Sequence, residues 1–267
     1  MKVFPNAKIN LGLFITSKRE DGFHNLESLF YPIPLCDELE IEEGSTEFEL
    51  QLENSSETIP LTSNIVYKAW KLLHDTYSIP PVRVRLVKHI PSGAGMGGGS
   101  SDGTFMLKAL NELFQLNLTI EKLEELAAEL GSDCPFFVRN TPAVVKGRGE
   151  FIHPVDFSLA GSTLIVVNPG IHISTKEAFS GITPSPCNLN WELLVQDFYS
   201  HSNELRNDFE GSAFLNHPVL LNVKSDLLQQ GASYACMSGT GSTMFGLFRD
   251  EIPLDYKNVH FFRRIKL

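Results

Sequence analysis

The sequence is poor in cysteine and in basic residues, and it has no long apolar run. Its four cysteines, Cys36, Cys134, Cys187 and Cys236, lie far apart without a Cys-x-x-Cys pair, a pattern that predicts neither a zinc site nor a disulfide framework. Acidic residues outnumber basic ones by 32 to 22, which argues against nonspecific binding to nucleic acid or anionic membranes. No segment has the length or pattern of a membrane span or a secretory signal. We therefore expect a soluble, cytoplasmic protein.

Length and patterning predict two domains. The 267 residues can form one large domain or two modest ones. Alternating apolar residues predict strands at 7–13, 38–42, 47–52, 82–87 and 163–167, whereas helical spacing predicts helices at 64–74, 105–113 and 120–130. In the first strand, the alternation predicts one buried face. The pattern weakens into Pro, Gly and Ser at 155–162, so we place a boundary between residues 1–157 and residues 158–267.

The most informative segment is a glycine-rich loop that directly follows the strand at 82–87, Pro91-Ser-Gly-Ala-Gly-Met-Gly-Gly-Gly-Ser-Ser-Asp102. Glycines let successive backbone N–H groups converge on a ligand and tolerate positive φ. The next helix, expected to begin within residues 100–102, adds unpaired N–H groups and the positive end of its dipole. We predict that this loop binds phosphate, through Gly93, Gly95, Gly97, Gly98, Gly99, Ser100 and Ser101.

Three other interpretations of the loop fit less well. A strand before it and a helix after it argue against a flexible Gly/Ser linker. Gly93 and Gly98 have the spacing of a P-loop, but Gly99 stands where that motif requires lysine. The same stretch matches the dinucleotide fingerprint GxGxxG, yet two helices follow it instead of a second strand ending in an acidic residue.

The loop resembles the phosphate-binding motif of the GHMP kinase superfamily, and the resemblance spans nearly the whole chain. Residues 5–11 (Pro-Asn-Ala-Lys-Ile-Asn-Leu) resemble the first motif of that superfamily, and residues 237–243 (Met-Ser-Gly-Thr-Gly-Ser-Thr) resemble the third. The resemblance implies an α+β protein with an N-terminal ATP-binding, catalytic domain like part of ribosomal protein S5 and a ferredoxin-like C-terminal domain. It also implies that ATP is the phosphoryl donor and that Asn64, Lys88 and Pro91 contact the nucleotide.

The resemblance implies two catalytic residues, Lys8 and Asp133. Read alone, Lys8 would be a surface lysine and Asp133 a helix cap or turn residue. Residues 131–137 (Gly-Ser-Asp-Cys-Pro-Phe-Phe) resemble the segment that carries the catalytic aspartate. A carboxylate there can accept the proton of the attacking hydroxyl. Lys8 can stabilise the charged phosphoryl group and pair with Asp133.

One branch of the superfamily is similar in its Gly-Gly-Gly-Ser-Ser-Asp sequence. This likeness implies phosphorylation of the 2-hydroxyl of a cytidine-diphosphate-linked methylerythritol, in the non-mevalonate route to isoprenoids. Residues 21–24 (Asp-Gly-Phe-His) and 173–179 (Ile-Ser-Thr-Lys-Glu-Ala-Phe) also resemble segments of this branch. That likeness implies that Phe23 and Phe179 sandwich the cytosine, although tyrosine is common at position 23. Substrate contacts are expected from Asn10, Phe23, His24, Thr175 and Phe179.

The remaining expectations concern the metal, the assembly and the rival functions. We expect Mg²⁺ to neutralise phosphate charge, although no Asp/Glu cluster in the sequence identifies its ligands. The oligomeric state is left open between a monomer and a loose homodimer. Two rivals remain open: a GHMP kinase acting on a sugar, homoserine or mevalonate, and a noncatalytic nucleotide-binding protein.

Overall fold

A computed structural model describes residues 1–55, 59–250, 252, 256 and 259–267. The chain forms two compact units. The first comprises Met1–Ala7, Leu35–Ser92 and Gly97–Thr141, and the second comprises Lys8–Pro34, Gly93–Met96 and Pro142–Leu267. No helix in the described ranges is both long and apolar enough to span a membrane.

Helices and strands are mixed along the chain, as expected for the α+β class. The strands are β1 (Lys2–Val3), β2 (Asn6–Lys18), β3 (His24–Cys36), β4 (Glu38–Glu42), β5 (Glu49–Glu53), β6 (Arg83–Val87), β7 (Ala143–Gly147), β8 (Phe151–Pro154), β9 (Thr163–Asn168), β10 (Tyr234–Met237), β11 (Met244–Phe248) and β12 (Phe261–Lys266). The helices are α1 (Ile65–Tyr77), α2 (Gly98–Leu113), α3 (Ile120–Leu130), α4 (Phe136–Arg139), α5 (Thr175–Ser180), α6 (Trp191–Gln196), α7 (Phe198–His201), α8 (Glu210–Asn216) and α9 (Pro218–Gln229). Short 3₁₀ turns occupy Leu61–Ser63 and Ser202–Glu204.

The first unit packs helices on a four-stranded sheet with the order β1-β4-β6-β5. Neighbouring strands are antiparallel except for β5 and β6, which run parallel. Alternate residues of β4 and β6, including Leu39 and Leu86, share a buried core with α1, α2 and α3. Asn64 begins α1 by accepting a hydrogen bond from Val66 N, at 2.9 Å, and Thr119 caps α3 in the same way.

The second unit holds two four-stranded sheets, apart from the strand ends at residues 6–7 and 35–36. One has the order β2-β3-β7-β8 and the other the order β10-β11-β9-β12. The second sheet is antiparallel throughout, and its two inner strands, β11 and β9, are buried along their whole length. Leu13 and Ile15 of β2 pack into one core with residues of β9, α8 and α9.

The predicted strand at 38–42 and helix at 120–130 are confirmed at both ends, but two predictions are wrong in detail. Helix α2 begins at Gly98, not within residues 100–102, because Gly97 at φ 70° turns the chain into the helix earlier. Strand β2 was predicted to have one buried face, yet every residue from Asn6 to Ile15 is buried. The polar face can be buried because its side chains form hydrogen bonds.

Candidate functional site

The glycine-rich loop is shaped by close backbone approaches that only glycine permits. Gly93, Gly95 and Gly97 all have positive φ. A Cβ on Gly95 would lie 2.0 Å from the carbonyl oxygen of Ser238, whereas one on Gly99 would meet no atom within 4 Å. The loop is therefore tightly packed at Gly95 and open at Gly99.

The N-terminus of α2 has the features of an anion site. No described side chain caps this helix, whose N-cap is Gly97, so its first N–H groups remain available to a ligand. Ser100 is half-buried and Ser101 fully buried, and Ser101 Oγ has no hydrogen-bond partner among the described residues. An open cradle beside a buried hydroxyl without a partner fits the phosphate groups of ATP.

Asp133 lies in the turn between α3 and α4, and α2 fixes that turn. Thr104 Oγ1 of α2 lies 2.8 Å from the carbonyl oxygen of Cys134 and 2.9 Å from that of Ser100, and its single proton is shared between these two acceptors. Burial raises the pKa of the Cys134 thiol to about 11, so this neighbour of Asp133 stays a neutral thiol near pH 7. Asp133 itself is half-buried.

Lys88 is buried between two carboxylates in the first unit. Its Nζ contacts Asp37, and lies 2.5 Å from Asp102 Oδ2. Asp37 also accepts hydrogen bonds from the backbone of His89 and Ile90. Burial by itself would lower the pKa of Lys88, but Asp102 and Asp37 outweigh it and raise that pKa. Lys88 therefore remains a cation, and its ion pair with Asp102 connects α2 to the end of strand β6.

A buried polar network surrounds Lys8 in the second unit. Lys8 is 2% exposed, and its Nζ donates to Asn10 Oδ1 at 2.7 Å and lies 4.4 Å from the centre of the Phe30 ring. Asn10 Nδ2 donates to Ser28 Oγ at 3.0 Å. The predicted neighbours Lys8 and Asn10 are thus brought together, whereas the predicted pairing of Lys8 with Asp133 stays a prediction.

The turn at residues 238–243 connects strands β10 and β11 and lies against part of the glycine-rich loop. Ser238 Oγ donates to the Gly95 carbonyl at 2.8 Å, and Thr243 N donates to the Ala94 carbonyl at 3.3 Å. Asn207 Nδ2 supports the turn by donating to the carbonyls of Met237 and Gly239, both at 2.8 Å. The turn therefore holds the backbone of residues 94–95 in place.

The predicted substrate residues of the second unit have different neighbours in the structure. The rings of His24 and Phe179 stack, with centroids 4.8 Å apart and an interplanar angle of 23°. Phe23 instead lies beneath Arg148, whose Cζ is 3.7 Å from the ring centre. Thr175 is the exposed first residue of α5. The cytosine sandwich between Phe23 and Phe179 stays a prediction.

In the first unit the structure places the predicted nucleotide residues at element ends. Asn64 caps α1, and its side-chain oxygen is engaged by Val66 N. Pro91 follows Ile90 at the start of the loop. A Cβ added to Gly98, the first residue of α2, would lie 2.8 Å from the side chain of Ile90. The nucleotide contacts proposed for these residues stay predictions.

Sequence reasoning missed Asp37, Ser28 and Arg148. Asp37 is bonded to Lys88 across 51 positions of the chain, and Ser28 to Asn10 across 18. Only the pairing of strands brings such residues together, so no local motif could indicate them. Arg148 follows strand β7 and had no spacing signal that linked it to Phe23.

Magnesium binds in proteins through oxygen atoms, from one or two carboxylates together with phosphates and water. No cluster of three or more His, Cys, Asp or Glu side chains suited to a metal occurs in the described part of the chain. The described residues therefore form no dedicated protein cage for the ion.

Comparison with known proteins adds to this geometry. The profile of the GHMP kinases N terminal domain matches residues 64–141, and that of the GHMP kinases C terminal matches residues 189–255. A 4-diphosphocytidyl-2-C-methyl-D-erythritol kinase of Bacteroides fragilis is 50% identical over 258 residues, which cover 94% of this chain and 93% of the relative. A kinase of the same name from Bacteroides thetaiotaomicron is 47% identical over 255 residues, with 94% and 93% coverage.

Two solved structures are also similar. The crystal structure of a 4-(cytidine 5'-diphospho)-2C-methyl-D-erythritol kinase has a TM-score of 0.79 and 32% sequence identity, covering 94% of this chain and 91% of that chain. A homoserine kinase from Cytophaga hutchinsonii has a TM-score of 0.71 at 18% identity, covering 94% and 85%. The second likeness concerns the fold alone.

Proposed function

Because the chain belongs to the 4-diphosphocytidyl-2-C-methyl-D-erythritol kinase family of the GHMP kinases, we propose that it phosphorylates the alcohol for which that family is named. The reaction transfers the γ-phosphoryl group of ATP to the 2-hydroxyl of 4-diphosphocytidyl-2-C-methyl-D-erythritol and releases ADP, a step of isoprenoid precursor biosynthesis. Identity to the relatives along nearly the whole chain carries this proposal. The predicted family, GHMP kinase fold and kinase activity are confirmed.

Binding of ATP is assigned to the glycine-rich loop and the first turn of α2. No described side chain caps the first N–H groups of α2, so none competes with a phosphate for them. The open space at Gly99 leaves room for phosphate oxygens against the backbone. In this arrangement the loop fixes the position of the γ-phosphoryl group, and positioning supplies much of the rate in phosphoryl transfer.

Proton transfer is assigned to Asp133 and charge stabilisation to Lys8. The Asp133 carboxylate accepts the proton of the substrate 2-hydroxyl. As it does so, the hydroxyl oxygen forms a bond to the γ-phosphorus, and the bond between that phosphorus and ADP breaks. The Lys8 ammonium is held by Asn10 in a buried site, where a charge acts more strongly than in water. The Ser28 hydroxyl orients Asn10 and so supports Lys8.

The aromatic residues of the second unit are assigned to the cytidylyl group. His24 offers ring nitrogens for hydrogen bonds and Phe179 an apolar face, while Phe23 offers a partly exposed ring. We propose that Mg²⁺ arrives with ATP, since magnesium commonly takes its ligands from phosphates and water. A cytoplasmic location is proposed as well, and the four free cysteines support it.

An ADP-release assay with a panel of acceptors tests the proposal. We expect turnover with 4-diphosphocytidyl-2-C-methyl-D-erythritol and none with mevalonate, homoserine or galactose at equal concentration. Turnover on mevalonate but not on the cytidylyl alcohol would show that the acceptor is wrong. If no acceptor supports turnover while ATP still binds, and Asp133→Ala binds ATP equally well, the protein is a nucleotide-binding protein rather than a kinase.

A further inference from the structure

Two turns at one end of the β2-β3-β7-β8 sheet bring Arg148 onto Phe23. Strand β3 pairs antiparallel with β7, with Leu26 opposite Gly147. Phe23, just before β3, and Arg148, just after β7, therefore reach the same end of the sheet. The distance of 3.7 Å from Arg148 Cζ to the ring centre lies well within the range of about 6 Å for cation–π contacts. The guanidinium covers one face of the ring.

The ring of Phe23 has few other constraints. The residue is 51% exposed, and a phenyl ring has no hydroxyl with which to form an orienting hydrogen bond. Its backbone is fixed, because Phe23 N donates to Asp21 Oδ1 at 3.1 Å, and this bond contributes most to the lowered pKa of Asp21. The orientation of the ring thus depends on the contact with Arg148.

The charge of Arg148 helps to lower the pKa of Asp21, but Arg19 forms the close ion pairs of these turns. Arg19 Nε binds both carboxylate oxygens of Asp21, at 3.2 and 3.0 Å, and Arg19 Nη1 lies 3.9 Å from Glu150 Oε1. The buried Nε of Arg148 has no hydrogen-bond partner among the described residues. A buried donor without an acceptor is unfavourable, so the interactions that favour this position of the guanidinium are its stacking on Phe23 and its attraction to Asp21.

We propose that Arg148 is a positioning residue for the nucleobase of the substrate. Its guanidinium occupies one face of Phe23 and presents the other face to the cytosine, giving a guanidinium–phenyl–base stack. The inference rests on the proposed function, because it takes the cytidylyl group as the ligand of Phe23. A planar, delocalised cation matches the flat ring as an ammonium does not. A ring held in one orientation also loses less freedom when the base binds.

Arg148→Met tests this role, because methionine keeps much of the aliphatic stem and removes the planar cation. We expect the KM for 4-diphosphocytidyl-2-C-methyl-D-erythritol to rise about two- to five-fold, the scale of an exposed cation–π contact, with kcat and the KM for ATP unchanged. Arg148→Lys keeps the charge without the plane and should recover part of the loss. Arg263→Met is the matched control, since Arg263 stacks on Phe261 of edge strand β12 at 4.6 Å and its loss should leave all three constants unchanged.

A double-mutant cycle separates action through Phe23 from direct contact with the substrate. In a Phe23→Ala background, Arg148→Met should add no further rise in KM. An equal rise in both backgrounds, or no rise in either, would overturn the inference while wild-type turnover still upholds the proposed function. Absence of wild-type turnover on the cytidylyl alcohol would overturn both. Circular dichroism of each variant identifies unfolding, and if Arg148→Met unfolds, Arg148→Lys decides the question by the same comparison.

Discussion

At the scale of single residues, one buried ammonium between two carboxylates sets the electrostatics near the start of α2. Lys88 can balance one of the charges of Asp37 and Asp102, and Asp37 is further stabilised by two backbone N–H groups. Asp102 is the carboxylate whose negative charge is the less stabilised of the two. It is 2% exposed, and its Oδ1 has no partner among the described residues. Burial, opposed by Lys88, raises the pKa of Asp102 to about 7.

Asp102→Asn should therefore change the dependence of stability on pH. Between the unfolded pKa near 3.8 and the folded pKa of about 7, the native protein keeps a proton that the unfolded chain has released. Raising the pH across this window thus destabilises the wild type, by up to about 1.4 kcal/mol per pH unit from this group. The free energy of unfolding of wild type minus that of Asp102→Asn should fall from pH 5 to pH 7 and level off above it. Urea titrations at each pH measure it, and a constant difference would contradict the prediction.

Asp133→Asn tests the proposed base. The amide keeps the shape of the side chain but cannot accept the proton of the attacking hydroxyl, so kcat should fall about 10²- to 10⁴-fold. The KM for ATP should change little, because the glycine-rich loop is intact. Asp75→Asn is the matched control, since Asp75 is an exposed carboxylate of α1 paired with Lys71 and its change should leave kcat intact. A kcat within a few-fold of wild type for Asp133→Asn would exclude the role of base.

The sequence predicted the residues of the candidate site more readily than their partners. Lys8 and Asn10 are two positions apart on a strand, so alternation alone placed them together, as the hydrogen bond between them confirms. Asp37 and Arg148 contribute only through strands that pair across long stretches of chain. Their roles depend on register, which local patterning does not specify for distant strands.

At the scale of elements, two glycine-rich segments pack backbone to backbone. Gly95 lies against the carbonyl of Ser238, and Gly239 in turn lies close to the carbonyl oxygen of Gly95. Both have positive φ, so each position is reserved for glycine by conformation and by space. The turn at 238–243 therefore determines the shape of the phosphate loop at residues 94–95.

Gly95→Ala and Gly99→Ala should distinguish the glycine that packs the loop from the glycine that leaves room for the phosphate. The first places a methyl group 2.0 Å from a backbone oxygen and should lower the free energy of unfolding by about 2 kcal/mol or more. The second has room for its methyl group and should raise stability by up to about 1 kcal/mol through helix propensity. If phosphate occupies the open cradle, Gly99→Ala should nevertheless raise the KM for ATP. Urea unfolding measures the stabilities, and initial rates measure the KM for ATP. Equal losses of stability in the two variants would contradict the packing assigned to Gly95 and Gly99.

Elements with a strong local signal were predicted well, and those fixed by tertiary contacts were not. The helix at 120–130 has its cap at Thr119 and Gly131 just past its end, so both ends were readable. Strand β3 contains two prolines, Pro32 and Pro34, and its apolar residues alternate only weakly. For this reason no strand was predicted there. The start of α2 was misplaced because Ser100 and Ser101 look like capping residues, although Gly97 provides the turn.

At the scale of the whole molecule, the compact units are interleaved along the chain. Each consists of three separate segments, so neither corresponds to a continuous stretch such as residues 1–157. The boundary at 157/158 stays a prediction. The N-terminal family profile ends at residue 141 and the C-terminal one begins at residue 189, so neither reaches this position. A fragment ending at 157 would contain β2 and β3 but lack β9 and helices α8 and α9.

That fragment, residues 1–157, should not form a native-like domain by itself. Leu13 and Ile15 of β2 share their core with Ile165, Phe209 and Leu220, all of which the fragment lacks. Exposing a contiguous apolar surface favours association and loss of fixed packing. We expect the isolated fragment to bind a hydrophobic dye, to elute as an aggregate and to unfold in urea without a sharp transition, whereas the full chain unfolds cooperatively. A monomeric fragment with a sharp transition would show instead that 157/158 is an autonomous domain boundary and that these core contacts are dispensable for folding the N-terminal part.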